Sequence, residues 1–224
     1  MQVVCALEFE CSALARTARE RGWALACTGP GAAPVRRWGQ FAVLPPGSLV
    51  ILAGVAGGLT DHCRAGAMRV SSVRDATGRT WASVIPPSWT GRRANCLSVD
   101  APLADPAAKR AAAAEHGADI VDMESAAFAE IATTRGWRWA IVRGISDTVD
   151  DRLPAGIGRW TDRWGETQLG TVAGDLATRP WILPSVIALG RRSRTAMRAV
   201  RDALLQLDAN ERGLGHSSPM PPLP

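Results

Sequence analysis

Carboxylate side chains follow three apolar runs of the sequence, each at a point where a strand is expected to end. They are Glu8 or Glu10, then Asp122 and Glu124, then Asp147. If the strands run parallel, their carboxyl ends meet at one edge of a sheet and these side chains converge on one cleft. Several carboxylates around one cleft suit acid–base chemistry on a substrate that develops positive charge. Cleavage of a glycosidic bond is a reaction of this kind.

The same carboxylates also have a purely structural interpretation. Asp and Glu are favoured at the first turn of a helix, where they accept hydrogen bonds from free backbone N–H groups. Spacing alone therefore leaves both roles open for each of them.

The elements that would position these residues alternate between strand and helix. Asp105 and Pro106 form a helix start, with a capping acceptor followed by proline at the first helical position. The alternation predicts an α/β fold: a single-domain three-layer sandwich with a mixed, mostly parallel central sheet flanked by helices. Apolar runs predict strands at 2–6, 48–53, 118–121 and 137–142, shorter runs predict strands and hairpins within 66–99, and helices are predicted at 10–21, 105–117 and 124–135.

Two segments are expected to form turns at the carboxyl ends of strands. Residues 54–58 are rich in glycine, which would let backbone N–H groups approach a ligand closely. Residues 143–147 follow the 137–142 run and carry polar side chains. Both segments are candidate parts of a binding site.

The composition is that of a globular protein with one domain. The chain has 224 residues, of which 46% are hydrophobic and 21% charged, which is enough to bury one core. No run approaches the roughly 18 apolar residues that span a bilayer. Glu8 and Glu10 also stand where a signal peptide would be apolar. We therefore expect a cytoplasmic protein.

Cysteine and histidine spacings give no ground for a metal. The five cysteines form no C-x-x-C pair and the three histidines are isolated. We expect reduced cysteines and a mechanism without metal or cofactor, with phosphate left open as a co-substrate. The net charge is +5, but the basic residues are scattered except near the C-terminus, so no nucleic-acid binding is expected.

The chain changes character after residue 180. Residues 181–208 begin with apolar side chains and become rich in arginine, which predicts a basic amphipathic helix following a main domain at 1–180. We favour packing of this helix on the sheet with a solvated face, and contact with a membrane surface is the alternative. Residues 209–224 are rich in glycine, serine and proline and are expected to be disordered.

Four segments resemble the signature blocks of the nucleoside phosphorylase and methylthioadenosine/S-adenosylhomocysteine nucleosidase family, in the same order. One block alone would say little because glycine-rich turns are common, whereas four in register across residues 3–150 make the resemblance specific. It implies that 1–180 is a catalytic domain that cleaves purine N-glycosidic bonds. The blocks are Cys5 to Glu10 (CALEFE), Ala53 to Leu59 (AGVAGGL), Val121 to Ala127 (VDMESAA) and Val142 to Asp147 (VRGISD).

The resemblance implies a role for each matching residue. Asp147 would protonate or hydrogen-bond the purine ring nitrogen, so that the base leaves more easily. Glu124 would bind the ribose hydroxyls and stabilise the cationic sugar, with Met123 packed under it. Glu10 would hold and activate the attacking water. The other implied substrate-binding residues are Gly54, Val55, Ala56 and Gly57 beside the nucleophile, Ser98 near the base, Arg143 and Ser146.

The choice of nucleophile can be argued from charge. A carboxylate at Glu10 would repel a phosphate dianion, by about 1 kcal/mol in water and more in a partly buried site. Hydrolysis is therefore favoured over phosphorolysis. Arg143 could offset the repulsion.

Substrate choice depends on the C-terminal third. The segment Pro180 to Pro184 and the basic stretch to Leu207 resemble the hopanoid-associated branch of the family, which implies release of adenine from adenosylhopane. A large apolar 5′ substituent would give the C-terminal helix a role. The alternatives are a nucleosidase for methylthioadenosine or S-adenosylhomocysteine, and a degenerate member that binds a nucleoside or lipid without turnover. We also expect a homo-oligomer.

Three features depart from the family pattern. Between Leu44 and Ser48 the family has a further glycine turn and a helix, whereas this chain has only Pro45-Pro46-Gly47. A missing piece there would put phosphate binding, the usual dimer and activity in doubt. Val55 replaces a hydroxyl residue and Pro102 replaces an aromatic one, which predicts altered base recognition.

Overall fold

A computed structural model describes residues 1–83 and 90–214 of the chain. Strands and helices alternate along most of it, which confirms the predicted α/β class. The strands are β1 (Gln2–Cys5), β2 (Ala24–Cys27), β3 (Leu49–Gly58), β4 (Ala67–Asp75), β5 (Thr80–Ala82), β6 (Arg93–Ser98), β7 (Ile120–Asp122) and β8 (Arg138–Asp147). The helices are α1 (Glu8–Arg21), α2 (Ala32–Phe41), α3 (Pro106–His116), α4 (Ser125–Thr134), α5 (Leu169–Thr178) and α6 (Leu183–Leu214).

The described strands form one mixed sheet whose centre closes on itself. β3, β8, β4, β6 and β7 pair in that order, and β7 pairs back onto β3. β1 and β2 extend the sheet from β3, and β5 extends it from β4. Most pairs are parallel, as predicted; the antiparallel ones are β3–β7, β4–β5 and β4–β8. The closed ring was not predicted.

Helices cover both faces of β3. Successive side chains of a strand point to opposite faces, so each face of β3 packs against a different pair of helices. Ile51 and Ala53 pack with residues of α1 and α6, including Leu14 and Leu204. The neighbouring side chains of β3 pack instead with residues of α2 and α4, such as Phe128. Full burial of each large apolar side chain contributes about 1.5–3 kcal/mol. These two clusters hold β3 and β8 rigidly in the middle of the domain.

The glycine-rich segment 54–58 is not the predicted turn. It is the C-terminal half of β3 and pairs with β8, for example at Gly54 with Arg143. Residues 143–147 likewise belong to β8 rather than to a turn. Glycine and polar residues are usually depleted in strands. The apolar runs therefore predicted the first halves of these two strands and missed their second halves. Their last residues carry the site described below instead of an apolar core.

The glycine turn and helix expected to be missing at 45–47 are present earlier in the chain. Gly29 and Gly31 have positive φ values of 94° and 87°, and α2 follows them directly. Sequence analysis missed α2 because it contains proline and glycine. The glycine has a packing reason, since a Cβ at Gly39 would collide with Ile131 of α4. The predicted gap is therefore wrong.

The C-terminal helix runs further than predicted. α6 begins at Leu183 and continues through residues 209–214, which were expected to be disordered. Arg212 explains the extension, because its guanidinium lies 3.1 Å from Asp208 and donates to the Arg21 carbonyl at 2.8 Å. The rest of the predicted tail, and Pro86-Pro87 in the predicted hairpin region, lie outside the described residues. No helix in the described ranges is long and apolar enough to cross a membrane.

Candidate active site

A buried group of charges surrounds Gly54 on β3. Glu10 of α1 and Arg143 of β8 approach the position where a side chain at Gly54 would begin. Glu10 is 1% exposed and Arg143 is fully buried. Glu8, the alternative candidate, is exposed on the surface of α1. The structure therefore places Glu10, and not Glu8, in the buried group of charges.

Glu10 is held by backbone N–H groups from the residues that follow β1 and from β3. Its carboxylate accepts hydrogen bonds from Ala6 at 3.1 Å, Leu7 at 3.0 Å and Val55 at 2.7 Å. Burial raises the pKa of the Glu10 carboxyl to about 7, although Arg143 opposes the shift. The group can thus exchange a proton near neutral pH.

Arg143 is the buried cation that joins the carboxylates. Its Nε donates to Asp122 at 2.8 Å, and one terminal nitrogen donates to Glu124 at 3.1 Å. The other terminal nitrogen, Nη1, lies beside Gly54 and makes no hydrogen bond within the described residues. Burial disfavours the charge of Arg143, but Asp122, Glu124 and Glu10 together raise its pKa. The guanidinium therefore stays charged, with one donor free for a ligand.

Glu124 stands at the start of α4 without capping it. Its Oε2 accepts from Arg143, and its Oε1 accepts the N–H of Gly31 at 2.7 Å. Burial raises the pKa of the Glu124 carboxyl, against the effect of Arg143. Asp122, by contrast, does cap the helix by accepting from the Ser125 N–H at 3.1 Å. The structural interpretation of these carboxylates thus holds for Asp122 and not for Glu124.

Asp147 ends β8 and faces a second buried cation. Lys109 of α3 donates to its Oδ2 at 2.5 Å and to the carbonyls of Thr148 and Asp151 at 2.8 and 2.9 Å. Ser146 donates to its Oδ1 at 2.8 Å. Lys109 is fully buried and Asp147 is 5% exposed. Sequence reasoning found Asp147 and Ser146 but missed Lys109.

A register shift between β3 and β8 aims these last two residues. Gly54 pairs with Arg143, whereas Gly57 pairs with Asp147, so β8 has one extra residue. Such bulges redirect side chains beside active sites. The bulge also lets the Ser146 hydroxyl reach the Ala56 carbonyl at 3.2 Å.

The two ends of the site are separated along β3. Three residue steps separate the level of Gly54, beside which Glu10 lies, from the level of Gly57, where a Cβ would be 3.1 Å from Asp147. At about 3.3 Å per strand residue the separation is about 10 Å. Val55 and Ala56 lie between these levels, and Met123 lies beside Gly31. The two carboxylates therefore lie at different levels along the strand.

The remaining predicted residues lie at the edge of this cleft. Ser98 ends β6, is 7% exposed and is paired with Asp122 of β7. Pro102 follows it and lies next to Gly158, in the loop between β8 and α5. That loop also contacts the start of α1, where Glu8 donates to the Gly165 carbonyl at 3.0 Å. The loop between β8 and α5 therefore contacts both Pro102 and the start of α1.

Gly54 should not tolerate a side chain. A Cβ there would collide with the Glu10 carboxylate and lie 2.7 Å from Arg143 Nη1. We expect Gly54→Ala to lower kcat at least tenfold by displacing Glu10, with a smaller loss of stability. Gly174→Ala is the matched control, because a Cβ there meets open space in a helix. Equal kcat values for the two variants in a nucleosidase assay would contradict this geometry.

The chain is similar to known purine nucleosidases in fold. Residues 92–178 match the family described as the phosphorylase superfamily. No curated protein sequence matches the chain. The futalosine hydrolase of Helicobacter pylori has a TM-score of 0.66 at 12% identity, over 94% of this chain and 97% of that one. The methylthioadenosine/S-adenosylhomocysteine nucleosidase of Helicobacter pylori gives 0.65 at 12%, with the same coverage.

A second methylthioadenosine/S-adenosylhomocysteine nucleosidase, from Chlamydia trachomatis and bound to methylthioadenosine, has a TM-score of 0.61 at 16% identity, over 93% of this chain and 97% of that one. These matches span nearly the whole of each known structure. The chain therefore has the fold of the nucleoside phosphorylases and nucleosidases, as the four sequence blocks implied. The matched segment 92–178 carries Lys109, Glu124, Arg143 and Asp147.

Proposed function

We propose that this chain hydrolyses the N-glycosidic bond of a purine nucleoside. The supporting observation is the arrangement along β3: Glu10 lies beside Gly54 and Asp147 beside Gly57, two backbone levels that are about 10 Å apart along the strand. In inverting glycosidases, two carboxyl groups roughly 6.5–9.5 Å apart leave room for a water on one side of the sugar and an acid on the other. The separation here suits the same division of work.

Asp147 would act on the base. The Lys109 ammonium donates to its Oδ2, so a proton could reach the base through Asp147. As the glycosidic bond stretches, negative charge builds on the purine and its ring nitrogen takes the proton from Asp147. The Ser146 hydroxyl fixes the carboxyl through its other oxygen, at 2.8 Å. Protonation of the ring nitrogen makes the purine a neutral leaving group.

Glu124 and Glu10 would act on the sugar. Glu124 has one oxygen on Arg143 and one on the Gly31 N–H, which orients it toward ribose hydroxyls and the cationic carbon. Glu10 would take a proton from the attacking water as the new C–O bond forms. Arg143 Nη1, free of a hydrogen-bond partner among the described residues, is a donor for that water.

Water is a better nucleophile here than phosphate on electrostatic grounds. Arg143 is already engaged by Asp122 and Glu124, and Glu10 adds a third carboxylate. One buried cation facing three carboxylates leaves no net positive charge for a phosphate dianion. The positive charge of Arg143, which could have offset the repulsion between Glu10 and phosphate, is therefore already balanced by carboxylates of the protein.

The pKa of Glu10 predicts the acid limb of the pH profile. A general base works only when ionised, and burial raises this carboxyl to a pKa of about 7. We expect kcat/KM to rise with pH up to about 7 and then level off. The Glu10→Gln variant should retain little activity and lose this limb. An unchanged limb in that variant, measured by adenine release across pH, would assign the titration to another group.

We further propose adenosylhopane as the substrate, with release of adenine. The resemblance of the C-terminal segment to the hopanoid-associated branch supports it. The chain also has a cavity of about 570 Å³ between α1 and α6, lined by Phe9 and Met197 but also by Glu8 and three arginines of α6. It adjoins the start of α1 through Glu8 and Phe9. Methylthioadenosine or S-adenosylhomocysteine is the second candidate, favoured by the nucleosidase neighbours.

Adenine release from each nucleoside, with and without phosphate, tests these proposals. Release from adenosylhopane alone, independent of phosphate, is the expected result. Release from methylthioadenosine at equal kcat/KM would assign the small-molecule activity instead, and a requirement for phosphate would overturn hydrolysis. No release from either by folded protein would favour a binding-only member. The predicted homo-oligomer is checked separately by light scattering.

A further inference from the structure

One helical hairpin packs weakly on the rest of the domain. It consists of α5, the 3₁₀ turn Pro180–Ile182 and the first turns of α6. None of the ten residues of α5 is buried by the described part of the chain. Large apolar side chains on this hairpin face solvent instead: Leu169 is 75% exposed, Trp181 71%, Leu183 45% and Ile187 46%. Monomeric globular proteins rarely leave such a cluster uncovered.

The hairpin carries almost no charge of its own. Between residues 167 and 190 the charged side chains are Asp175 and Arg179, and these two form an ion pair with each other. Asp175 also accepts from Trp160 Nε1 at 2.7 Å. The hairpin therefore exposes mainly apolar side chains. Moving it out of water would not strip water from an unpaired ion.

Arginines continue the same face of α6 directly after the hairpin. With 3.6 residues per turn, the leucine, isoleucine and arginine side chains at positions 183, 187, 191, 194, 198 and 201 of α6 fall within about a quarter of the helix circumference. Buried side chains of α6 such as Ala196, Val200 and Leu207 lie on the far side of the helix. The exposed face consists of Leu183, Ile187, Arg191, Arg194 and Arg198, and the partly buried Arg201 continues it.

Most of these arginines are available to a partner. Arg191, Arg194 and Arg198 form no ion pair within the described ranges, whereas Arg201 pairs with Asp202. Arg194, Arg198 and Arg201 also line the cavity between α1 and α6. The face thus combines an apolar tip, formed by Trp181, Leu183 and Ile187, with an adjoining row of arginine guanidinium groups.

We propose that this face docks on the surface of an anionic lipid bilayer. The apolar tip would enter the interfacial region, where tryptophan is favoured, and the arginines would lie against lipid phosphates. Charge selects this partner over a second copy of the chain, because two such arginine rows would repel each other. The hairpin is too short to span a bilayer, so the contact is peripheral. Docking requires no turnover, so it stands or falls separately from the proposed reaction.

Flotation with vesicles tests the proposal on the full chain. We expect the protein to float with vesicles of phosphatidylcholine mixed with phosphatidylglycerol, and much less with phosphatidylcholine alone. Binding should weaken as salt is added, because the arginine contribution is screened. Binding that ignores lipid charge and salt would contradict the role of the arginine row.

Two double variants, each with a matched control, distinguish binding through this face from nonspecific adsorption to the vesicles. Arg194→Gln with Arg198→Gln should weaken binding about 30-fold, since each arginine near an anionic surface contributes a factor of about five. Arg37→Gln with Arg93→Gln removes the same charge from exposed sites elsewhere and should have little effect. Trp181→Ser with Ile187→Ser tests the apolar tip. Its control is Phe41→Ser with Val43→Ser, at side chains 76% and 96% exposed.

Three outcomes would overturn the proposal. The protein could remain with the unbound fraction at every lipid composition, or the hairpin variants could bind as their controls do. Alternatively, light scattering could show that the Trp181 and Ile187 variant dissociates an oligomer while vesicle binding is absent throughout. That last result would assign the face to contact between copies of the chain.

Discussion

Replacing Asp147 with Asn is expected to lower kcat/KM for adenine release roughly 10²- to 10⁴-fold, the usual contribution of a positioned general acid. An amide of similar shape keeps a polar group in the cavity but cannot deliver a proton to the purine. Adenine release under single-turnover conditions measures the loss at the chemical step. Asp202→Asn, at an exposed position on α6, is the matched control and should leave kcat/KM unchanged.

The leaving group separates proton donation from general damage. A riboside whose leaving group departs without protonation, such as 4-nitrophenyl riboside, needs no acid. We therefore expect the Asp147→Asn variant to lose far less activity with that substrate than with an adenine nucleoside. A similar loss with both substrates would show that the variant disturbs the site as a whole and that Asp147 is not the acid.

Replacing Lys109 with Met is expected to destabilise the fold by about 3–5 kcal/mol. The substitution leaves the Asp147 carboxylate in a buried place without its counter-charge, and breaking one side of a buried ion pair costs about that much. Urea unfolding measures it. Arg110→Met, the next residue on α3, is the control, because Arg110 is more than half exposed and exposed pairs contribute at most about 1 kcal/mol.

The double variant tests whether the two charges depend on each other. Lys109→Met with Asp147→Asn removes both ions, so the cost of an unpaired buried charge disappears. We expect the double variant to be more stable than Lys109→Met alone. Additive losses in the two single variants would mean that the contact at 2.5 Å carries no coupling.

Elements with local signals could be predicted from sequence. α3 is the clearest case: Asp105 accepts from the Ala107 N–H at 2.8 Å, Pro106 occupies the first turn, and Gly117 ends the helix with a φ of 62°. Each of these features acts within a few residues of the helix end. Glu10, Glu124 and Asp147 were identified through their place in the four blocks. The structure places Glu10 and Glu124 beside Arg143 and places Asp147 further along β8, beside Gly57.

Features that depend on distant parts of the chain could not be predicted. Lys109 lies in an alanine-rich helix and resembles a solvated lysine, because its partner Asp147 is 38 residues away. The closing contact of the sheet is similar, since β7 has only three residues and pairs with Gly57 and Gly58. Neither contact leaves a periodic pattern. Both are decided by which strands meet after the core has formed.

The burial of Lys109 also makes it a reporter of opening. It is the chain's sole lysine and is fully buried, so the folded protein offers amine-selective acylating reagents the N-terminal amine and no accessible side chain. A lysine-specific protease likewise has one peptide bond to cleave, and it lies within α3. The rate of labelling or cleavage at this residue therefore follows how often α3 leaves the sheet. Ligand binding at Asp147 should slow that rate without any engineered probe.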